Sequence, residues 1–381
     1  MNRIKKIVTL MAAFGCFLAF APKGFSQQLP EWVKTLKISG DFGARTEYIS
    51  DEKTLNHYDR VRERARIRLS LDSTPVNKLK VSFGIETSGT NPTSAWTDFT
   101  DFRNQPLYIA HAYMEYEASD KLTVSGGKLK SDVPFWKPVQ LIWKNDVNPY
   151  GVSANARVNI IKNFDFFLNG GIFALTEYYD YGIGVDTPMN AIAVVQPGVE
   201  YKRWKLRAKG AFSVQQFSLV NHDTSGNTWI RSNNSFTLLA PSWDVSCVNL
   251  LGSYGPMFSG EYSKNIHKDE ALTSPMESLQ DAQPVKKPKA YMLQAGFGSE
   301  RVNRFKAWQV KAAYRRRELN SIPYGFGQTS AYNADPGKGW EYFAAFGLMR
   351  NVAFNATIYR MTDLEGKLPQ SVSQFDVIAR F

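Results

Sequence analysis

Hydrophobic and polar residues alternate most regularly between residues 60 and 71. Arginine occupies every second position at the start of this stretch, at Arg60, Arg62, Arg64, Arg66 and Arg68, and we call these five residues the arginine ladder. The positions between them are apolar except for Glu63. Successive side chains of a strand point to opposite faces, whereas a helix would scatter the same arginines around its axis. The pattern therefore predicts a strand with one face in water and the other against an apolar medium.

The same period of two recurs from residue 36 to the end of the chain. Examples are residues 36–48, 79–86, 152–160, 204–215 and 352–359, in which apolar and polar positions alternate. We find no convincing helical periodicity in this part of the sequence. A period of two over short segments is typical of strands, so the sequence predicts an all-β protein.

Short and long connections alternate between the predicted strands. The tight ones are near residues 74–77, 119–121, 161–163, 202–203, 253–256, 301–303 and 350–351. The long polar ones cover residues 88–105, 130–148, 177–190, 218–241, 265–288, 320–339 and 363–371. Outer-membrane barrels combine short periplasmic turns with long extracellular loops and an even strand number. We therefore predict a transmembrane antiparallel β-barrel of about 16 strands. The strand near Trp243–Gly252 has the least regular alternation.

Aromatic residues at the ends of the predicted strands favour a membrane barrel over a soluble β-sandwich. In an outer-membrane barrel, girdles of aromatic residues lie at the two membrane interfaces. A sandwich also rarely needs so many strands in one sheet system. The last segment alternates through Phe375, Val377 and Ala379 to the terminal Phe381. This ending resembles the signal that the barrel-assembly machinery recognises, so that machinery is an expected partner.

The N-terminus has the features of a secretory signal. Three basic residues within the first six precede an almost purely apolar segment at residues 7–21, and small residues follow within residues 24–26. We predict that residues 1–26 are a signal peptide and residues 27–381 a single barrel domain. The expected location is the bacterial outer membrane, with its lipid and lipopolysaccharide as partners.

Composition and charge exclude several classes of protein. The chain is 43% hydrophobic and 14% aromatic at a mean hydropathy of −0.33, so apolar residues are dispersed by alternation. Its net charge of +11 would be compatible with nucleic-acid binding. The chain is predicted to be exported and has no nucleic-acid-binding motif, so we exclude that function. A charged lumen or contact with an anionic lipid surface explains the positive charge better. Only Cys247 remains beyond the signal, which excludes an intramolecular disulfide.

Several short motifs in the first third of the chain carry a family resemblance. They are Ile38-Ser39-Gly40-Asp41-Phe42 with Arg45, the arginine ladder through Leu71, Ile85-Glu86-Thr87-Ser88-Gly89, Gly127-Lys128, Pro134-Phe135-Trp136 and Asn148-Pro149-Tyr150-Gly151-Val152. With these motifs the chain resembles the putative porin family of bacterial outer-membrane proteins, best over residues 36–157. The resemblance implies a pore-forming barrel but does not identify the solute that passes through it.

Strand phase assigns the arginine ladder to the lumen. Each arginine on the lipid side would cost on the order of 2–4 kcal/mol near the midplane, and about sixteen strands leave an aqueous channel. By the same phase the further predicted pore-lining residues are Asp41, Arg45, Glu47, Glu86, His111, Arg157 and Arg207. Two interpretations stay open. The ladder either concentrates anions in the pore or pairs with carboxylates of neighbouring strands as a structural feature.

The loop at residues 130–148 is the candidate constriction. Its candidate residues are Asp132, Phe135, Trp136, Trp143 and Asp146. General porins fold one long loop inward, and we carry this over by analogy; an outer cap on the barrel rim is the alternative. If the loop lies inside, Asp132 and Asp146 are expected to face the ladder. Trimers are common among general porins, so the same analogy suggests a homotrimer.

An enzymatic function finds little support in the sequence. The four histidines lie far apart without metal-ligand spacing, and we expect no catalytic residues, no cofactor and no metal. Two functions stay open: a water-filled channel for passive diffusion of small hydrophilic solutes with an anion bias, or a non-conducting barrel that acts in adhesion through its loops. Small polar inward residues such as Ser82 and Ser153 favour the channel.

Overall fold

The alternating segments form one closed antiparallel sheet. The computed structural model describes residues 30–51, 58–88, 94–99, 104–175, 191–218, 236–267, 288–323, 326–327 and 336–381. A short helix, α1, at Glu31–Lys34 precedes the sheet. The strands are β1 Lys37–Asp51, β2 Tyr58–Val76, β3 Leu79–Thr87, β4 Thr97–Asp98, β5 Leu107–Ser119, β6 Leu122–Lys128, β7 Tyr150–Ile161, β8 Phe164–Ala174, β9 Ala191–Arg203, β10 Leu206–Ser218, β11 Phe236–Cys247, β12 Gly255–Asn265, β13 Lys289–Gly298, β14 Trp308–Arg317, β15 Gly337–Met349, β16 Val352–Thr362 and β17 Gln370–Arg380. The predicted signal peptide lies outside the described residues.

Sixteen long strands build the barrel, as the sequence predicts. Each pairs with the strands before and after it, and β17 pairs with β1 to close the sheet. The two-residue strand β4 lies within the connection from β3 to β5, where it pairs with β2. No helix among the described ranges is long and apolar enough to cross a membrane.

The two faces of each strand differ in polarity. On β2 the outward Val61 and Ile67 leave 64% and 44% of their surface exposed, whereas the inward Glu47 of the neighbouring β1 exposes 1%. Outward apolar residues suit contact with lipid chains, and inward polar residues suit an aqueous interior. The predicted alternation thus corresponds to the two sides of the barrel wall.

Strand β11 lies earlier in the chain than the sequence analysis placed it. We expected a strand near Trp243–Gly252, but β11 spans Phe236–Cys247. Its inward side chains Phe236, Leu238 and Ala240 are at most 1% exposed. Because this part of the strand is apolar on its inner face, the alternation that marks the other strands is missing there.

An apolar cluster fills part of the barrel interior. It joins inward residues of several strands to two connections that fold inside, and its members include Leu129, Phe135, Leu141, Ile142, Trp143, Phe173, Ile192, Val194, Phe217, Phe236, Leu238, Met292, Ile322 and Phe326. Most strand members come from the ends nearest the long connections. This interior differs from the mostly small and polar lining that the sequence led us to expect.

Candidate pore constriction

The arginine ladder lies on the inner face of β2, beside acidic residues of β1. Asp41 and Glu47 are placed by the β1–β2 register, opposite Arg68 and Arg62. Both carboxylates are almost fully buried. The predicted phase therefore brings the ladder and its candidate partners to one surface inside the barrel.

Asp41 and Glu47 contact most of the ladder. Asp41 accepts hydrogen bonds from Arg66 Nε at 2.8 Å and from Arg68 Nε at 2.8 Å. Glu47 accepts a hydrogen bond from Arg62, and its Oε2 lies 3.7 Å from Arg64 Nη1. Buried ion pairs are stable only when hydrogen bonds satisfy both groups. Asp41 and Glu47 each accept at least one such hydrogen bond from the ladder.

Two further carboxylates, which the sequence analysis did not identify, complete the pairing. Asp98 of β4 lies 2.8 Å from Arg64, 3.3 Å from Arg62 and 3.4 Å from Arg60. Asp376 of β17 accepts hydrogen bonds from Arg45 at 2.6 and 2.9 Å in a bidentate pair. Neither residue is near its partners in sequence. Only barrel closure and the inward connection bring them together.

Trp96 packs on the ladder from inside the barrel. Its ring lies 4.0 Å from the Arg45 guanidinium and 4.7 Å from that of Arg66, and its carbonyl accepts a hydrogen bond from Arg64 Nη2 at 2.7 Å. A Cβ atom at Gly43 would lie 2.8 Å from the indole, so glycine allows this approach. The connection from β3 to β5 therefore places residues 94–99 against the ladder.

The loop at residues 129–149 also folds inside, where its aromatic residues contact the wall opposite the ladder. Trp143 Nε1 donates a hydrogen bond to Gln215 Oε1 at 2.8 Å and stacks on Phe217. Phe135 packs against Trp143 and Phe173. We call residues 129–149 the lumen loop.

Inward amide side chains on successive strands bind the backbone of the lumen loop. Gln196 of β9 accepts a hydrogen bond from the Trp136 N–H and donates one to its carbonyl, both at 2.8 Å. Asn155 of β7 donates to the Pro134 carbonyl at 3.2 Å and to Asn169 of β8 at 2.9 Å. The sequence analysis missed this role. Inward amides on three neighbouring strands were the available signal.

The polar side of the lumen loop contains Lys144 and Asp146. Asp146 lies 3.9 Å from Arg68 and 4.0 Å from Lys144. Asp132 lies instead in two cavities near the base of the loop, one of about 530 Å³ with Asp41, Arg68 and His111, the other of about 260 Å³. The structure thus brings Asp146, but not Asp132, into contact range of the ladder.

Two lysines of the lumen loop are buried inside the barrel. Burial lowers the pKa of Lys137 to about 8, against the opposite effect of Asp132, Glu261 and Asp146. Burial also lowers the pKa of Lys144, although Asp146 raises it. Burial therefore weakens proton binding by both lysines relative to lysines in water.

The remaining predicted lining residues occupy other parts of the inner wall. Arg157 pairs with Glu200 and lies 3.5 Å from Asp165, and Arg207 pairs with Glu300 at 2.7 Å. His111 is buried beside Gly84, and Glu86 lies opposite Arg68 on β3. Phe381 is 65% exposed, and its backbone pairs with Gly40 at 3.0 and 3.1 Å.

Two inward lysines away from the ladder form no such ion pair. Lys209 of β10 lies over the rings of Trp136 and Phe167, and Lys311 of β14 over that of Phe343. Within the described part of the chain, no carboxylate lies within 4.0 Å of either ammonium group. Six guanidiniums at the ladder, including Arg45, contact Asp41, Glu47, Asp98, Asp146 and Asp376. Asp244 of β11, which lies opposite Lys209 and lines one cavity with Lys311, is an acidic neighbour of both lysines but forms no ion pair with either.

Comparisons with solved structures give porins of the same fold. OprB of Pseudomonas putida, in its high-pH structure, has a TM-score of 0.58 at 11% identity over 92% of this chain and 95% of its own. An anion-selective porin of Comamonas acidovorans has a TM-score of 0.53 at 10% identity, over 91% and 99%. The outer-membrane channel DcaP of Acinetobacter baumannii has a TM-score of 0.52 at 13% identity, over 91% and 97%.

A family model described as putative porin matches residues 49–231 and 235–381. A search of curated proteins gave no match. The family and the fold are those of a channel rather than an enzyme, and they indicate the bacterial outer membrane. The chain therefore belongs to the putative porin family and is an outer-membrane porin.

Proposed function

We propose that this porin prefers anions, and that Lys209 and Lys311 contribute more to the preference than the arginine ladder does. The observation that carries the proposal is the difference in pairing between these cations. The ladder contacts carboxylates at hydrogen-bonding distance, so its field largely cancels over a few ångströms. Lys209 and Lys311 form no ion pair among the described residues and share the acidic neighbour Asp244, so they leave a positive potential in the pore.

Two double variants distinguish the contribution of the two lysines from that of the arginine ladder. We would measure the reversal potential of the refolded mature protein in planar bilayers under a salt gradient. The variant Lys209→Gln/Lys311→Gln removes two unpaired charges and should lose most of the anion preference. The matched variant Arg62→Gln/Glu47→Gln removes one ion pair and should leave the preference nearly unchanged. Folding of each variant is checked by its heat-dependent mobility in gel electrophoresis.

Three results would contradict the proposal. Loss of anion preference in the ion-pair variant with retention in the lysine variant would return the ladder to the role that the sequence suggested. A wild-type protein that is folded and does not conduct would favour the adhesion function instead. Cation preference in the wild type would overturn the assignment of charge to either wall.

We also propose the partners that the barrel surface suggests. The exposed Phe381 at the end of β17 is available to the barrel-assembly machinery. The outward apolar residues fit membrane lipid and lipopolysaccharide. A homotrimer is the proposed assembly, and analytical ultracentrifugation in a density-matched detergent would test it. A single monomeric species would contradict it.

A further inference from the structure

A small cavity lies between the lumen loop and the wall formed by β7, β8 and β10. Its volume is about 260 Å³. The side chains that matter for its chemistry are Asp132, Trp136, Lys137, Asn145, Asn155 and Lys209. Cations and hydrogen-bond acceptors therefore share one cavity in which a solute of a few carbon atoms has room.

Lys209 is held at this cavity by two aromatic rings. Its ammonium lies 4.8 Å from the centre of the Trp136 ring and 4.6 Å from that of Phe167. Aromatic faces attract a cation without neutralising its charge. Asp244, its cross-strand neighbour on β11, attracts it but forms no ion pair with it and lines a different cavity. The charge of Lys209 is therefore available to an anionic group.

The opposite side of the cavity can bind hydroxyl groups. Both side-chain N–H groups of Asn155 are used, toward Pro134 and Asn169, which leaves its carbonyl oxygen as an acceptor. The Asp132 carboxylate has no cation within 4.0 Å among the described residues, and it is a second acceptor. Lys137 donates one hydrogen bond to the Lys144 carbonyl at 3.2 Å and retains further protons.

We propose that this cavity is a binding site for a small carboxylate that also carries hydroxyl groups. The carboxylate binds Lys209 and Lys137, and the hydroxyl groups donate to Asp132 and Asn155. Asp132 disfavours more highly charged anions such as phosphate, because it repels a second negative charge. The proposal rests on the proposed function, since the solute reaches the cavity through the channel.

Calorimetry and channel block on the same folded protein test the site. Sodium gluconate is the probe. Glucose, which lacks the carboxylate, and propionate, which lacks the hydroxyl groups, are the comparison solutes. Gluconate should bind and interrupt the current at lower concentration than either. Lys209→Gln should weaken gluconate binding about tenfold, the loss expected for one hydrogen bond to a charged group. Lys205→Gln is the matched control, because it removes one positive charge from the turn between β9 and β10. It should leave gluconate binding unchanged.

A second variant tests the hydroxyl contacts. Asp132→Ala should lower the affinity for gluconate relative to that for propionate, because it removes an acceptor that only the hydroxyl groups of gluconate use. If gluconate binds no better than propionate and glucose, or if Lys209→Gln and Lys205→Gln have equal effects, the site is wrong although the channel still conducts. If the folded wild type does not conduct, the proposed function fails, and calorimetry in detergent decides the site independently.

Discussion

Charged side chains hold an inward segment on one wall of this barrel, whereas amide and apolar side chains hold another on the opposite wall. At β1, β2 and β17, buried ion pairs and Trp96 hold residues 94–99 against the arginine ladder. At β7–β10, Gln196 and Gln215 bind the lumen loop, whose aromatic residues pack into the apolar cluster. Both walls therefore narrow the lumen through a connection that folds inside.

The difference teaches that a dense run of like charges is poor evidence for a strong field. Five arginines in nine residues are conspicuous in the sequence, but their carboxylate partners come from three other segments, β1, β4 and the lumen loop. Lys209 and Lys311 are inconspicuous and lack such partners. The field in the pore depends on pairing, and pairing depends on strands distant in sequence.

The largest expected effect on stability and conductance comes from the wall at β7–β10, where the lumen loop packs into the apolar cluster. Trp143→Ala removes a 2% exposed side chain that hydrogen-bonds Gln215 and packs on three aromatic rings. We expect a loss of about 4 kcal/mol in the free energy of unfolding, typical of a buried tryptophan, and a larger single-channel conductance because the lumen loop loosens. Denaturant titration and bilayer recording measure the two effects.

The control for Trp143 is Trp204→Ala, because Trp204 is 86% exposed in a turn. Its conductance should equal that of the wild type. An unchanged conductance in folded Trp143→Ala would show that the apolar contacts do not determine the width of the pore.

The next effect is at the ladder wall. Glu47→Gln leaves Arg45, Arg62 and Arg64 with one carboxylate fewer in a site where Glu47 is 1% exposed. We expect a loss of about 3 kcal/mol in the free energy of unfolding, since breaking a buried ion pair leaves uncompensated charge. The anion preference in reversal-potential measurements should rise.

Glu63→Gln is the matched control on the outer face, where Glu63 accepts a hydrogen bond from Thr46 at 2.9 Å. It should change stability by less than about 0.5 kcal/mol and leave selectivity unaltered. Equal selectivity in both variants would mean that ladder charge does not reach the permeating ion.

The smallest effect is a pH dependence at Lys137. Its pKa is about 8 with the lumen loop inside the barrel and 10.5 in water, so the open or unfolded state binds more protons between these values. The position of the loop inside the barrel should therefore become more stable as pH rises from 8, and anion preference should fall. Reversal potentials between pH 7 and pH 10 measure the change.

Lys137→Met should reduce the size of this pH step, and Lys137→Arg should do the same because arginine stays charged over the measured range. A step of unchanged size in Lys137→Met would assign the titration to another group, of which Lys144 is the nearest in the loop.

Much of the barrel wall was predictable from the sequence. The period of two assigns β2 one polar and one apolar face, and alternating connection lengths correctly predict sixteen long strands. The failure at β11 has a local cause, because inward Phe236 and Leu238 pack in the apolar cluster and break the alternation. Strand prediction succeeds wherever water lies on one side and lipid on the other.

The sequence alone determined the class of protein, the phase of every regular strand and the side on which the ladder lies, because these follow from local alternation against two solvents. Only the tertiary structure decided which charges are paired. Arg45 and Asp376 lie 331 residues apart and meet because β17 closes on β1. Asp98 meets the ladder because a connection turns inward. Ion pairing needs distances of a few ångströms, and no local pattern specifies contacts between segments so far apart in the chain.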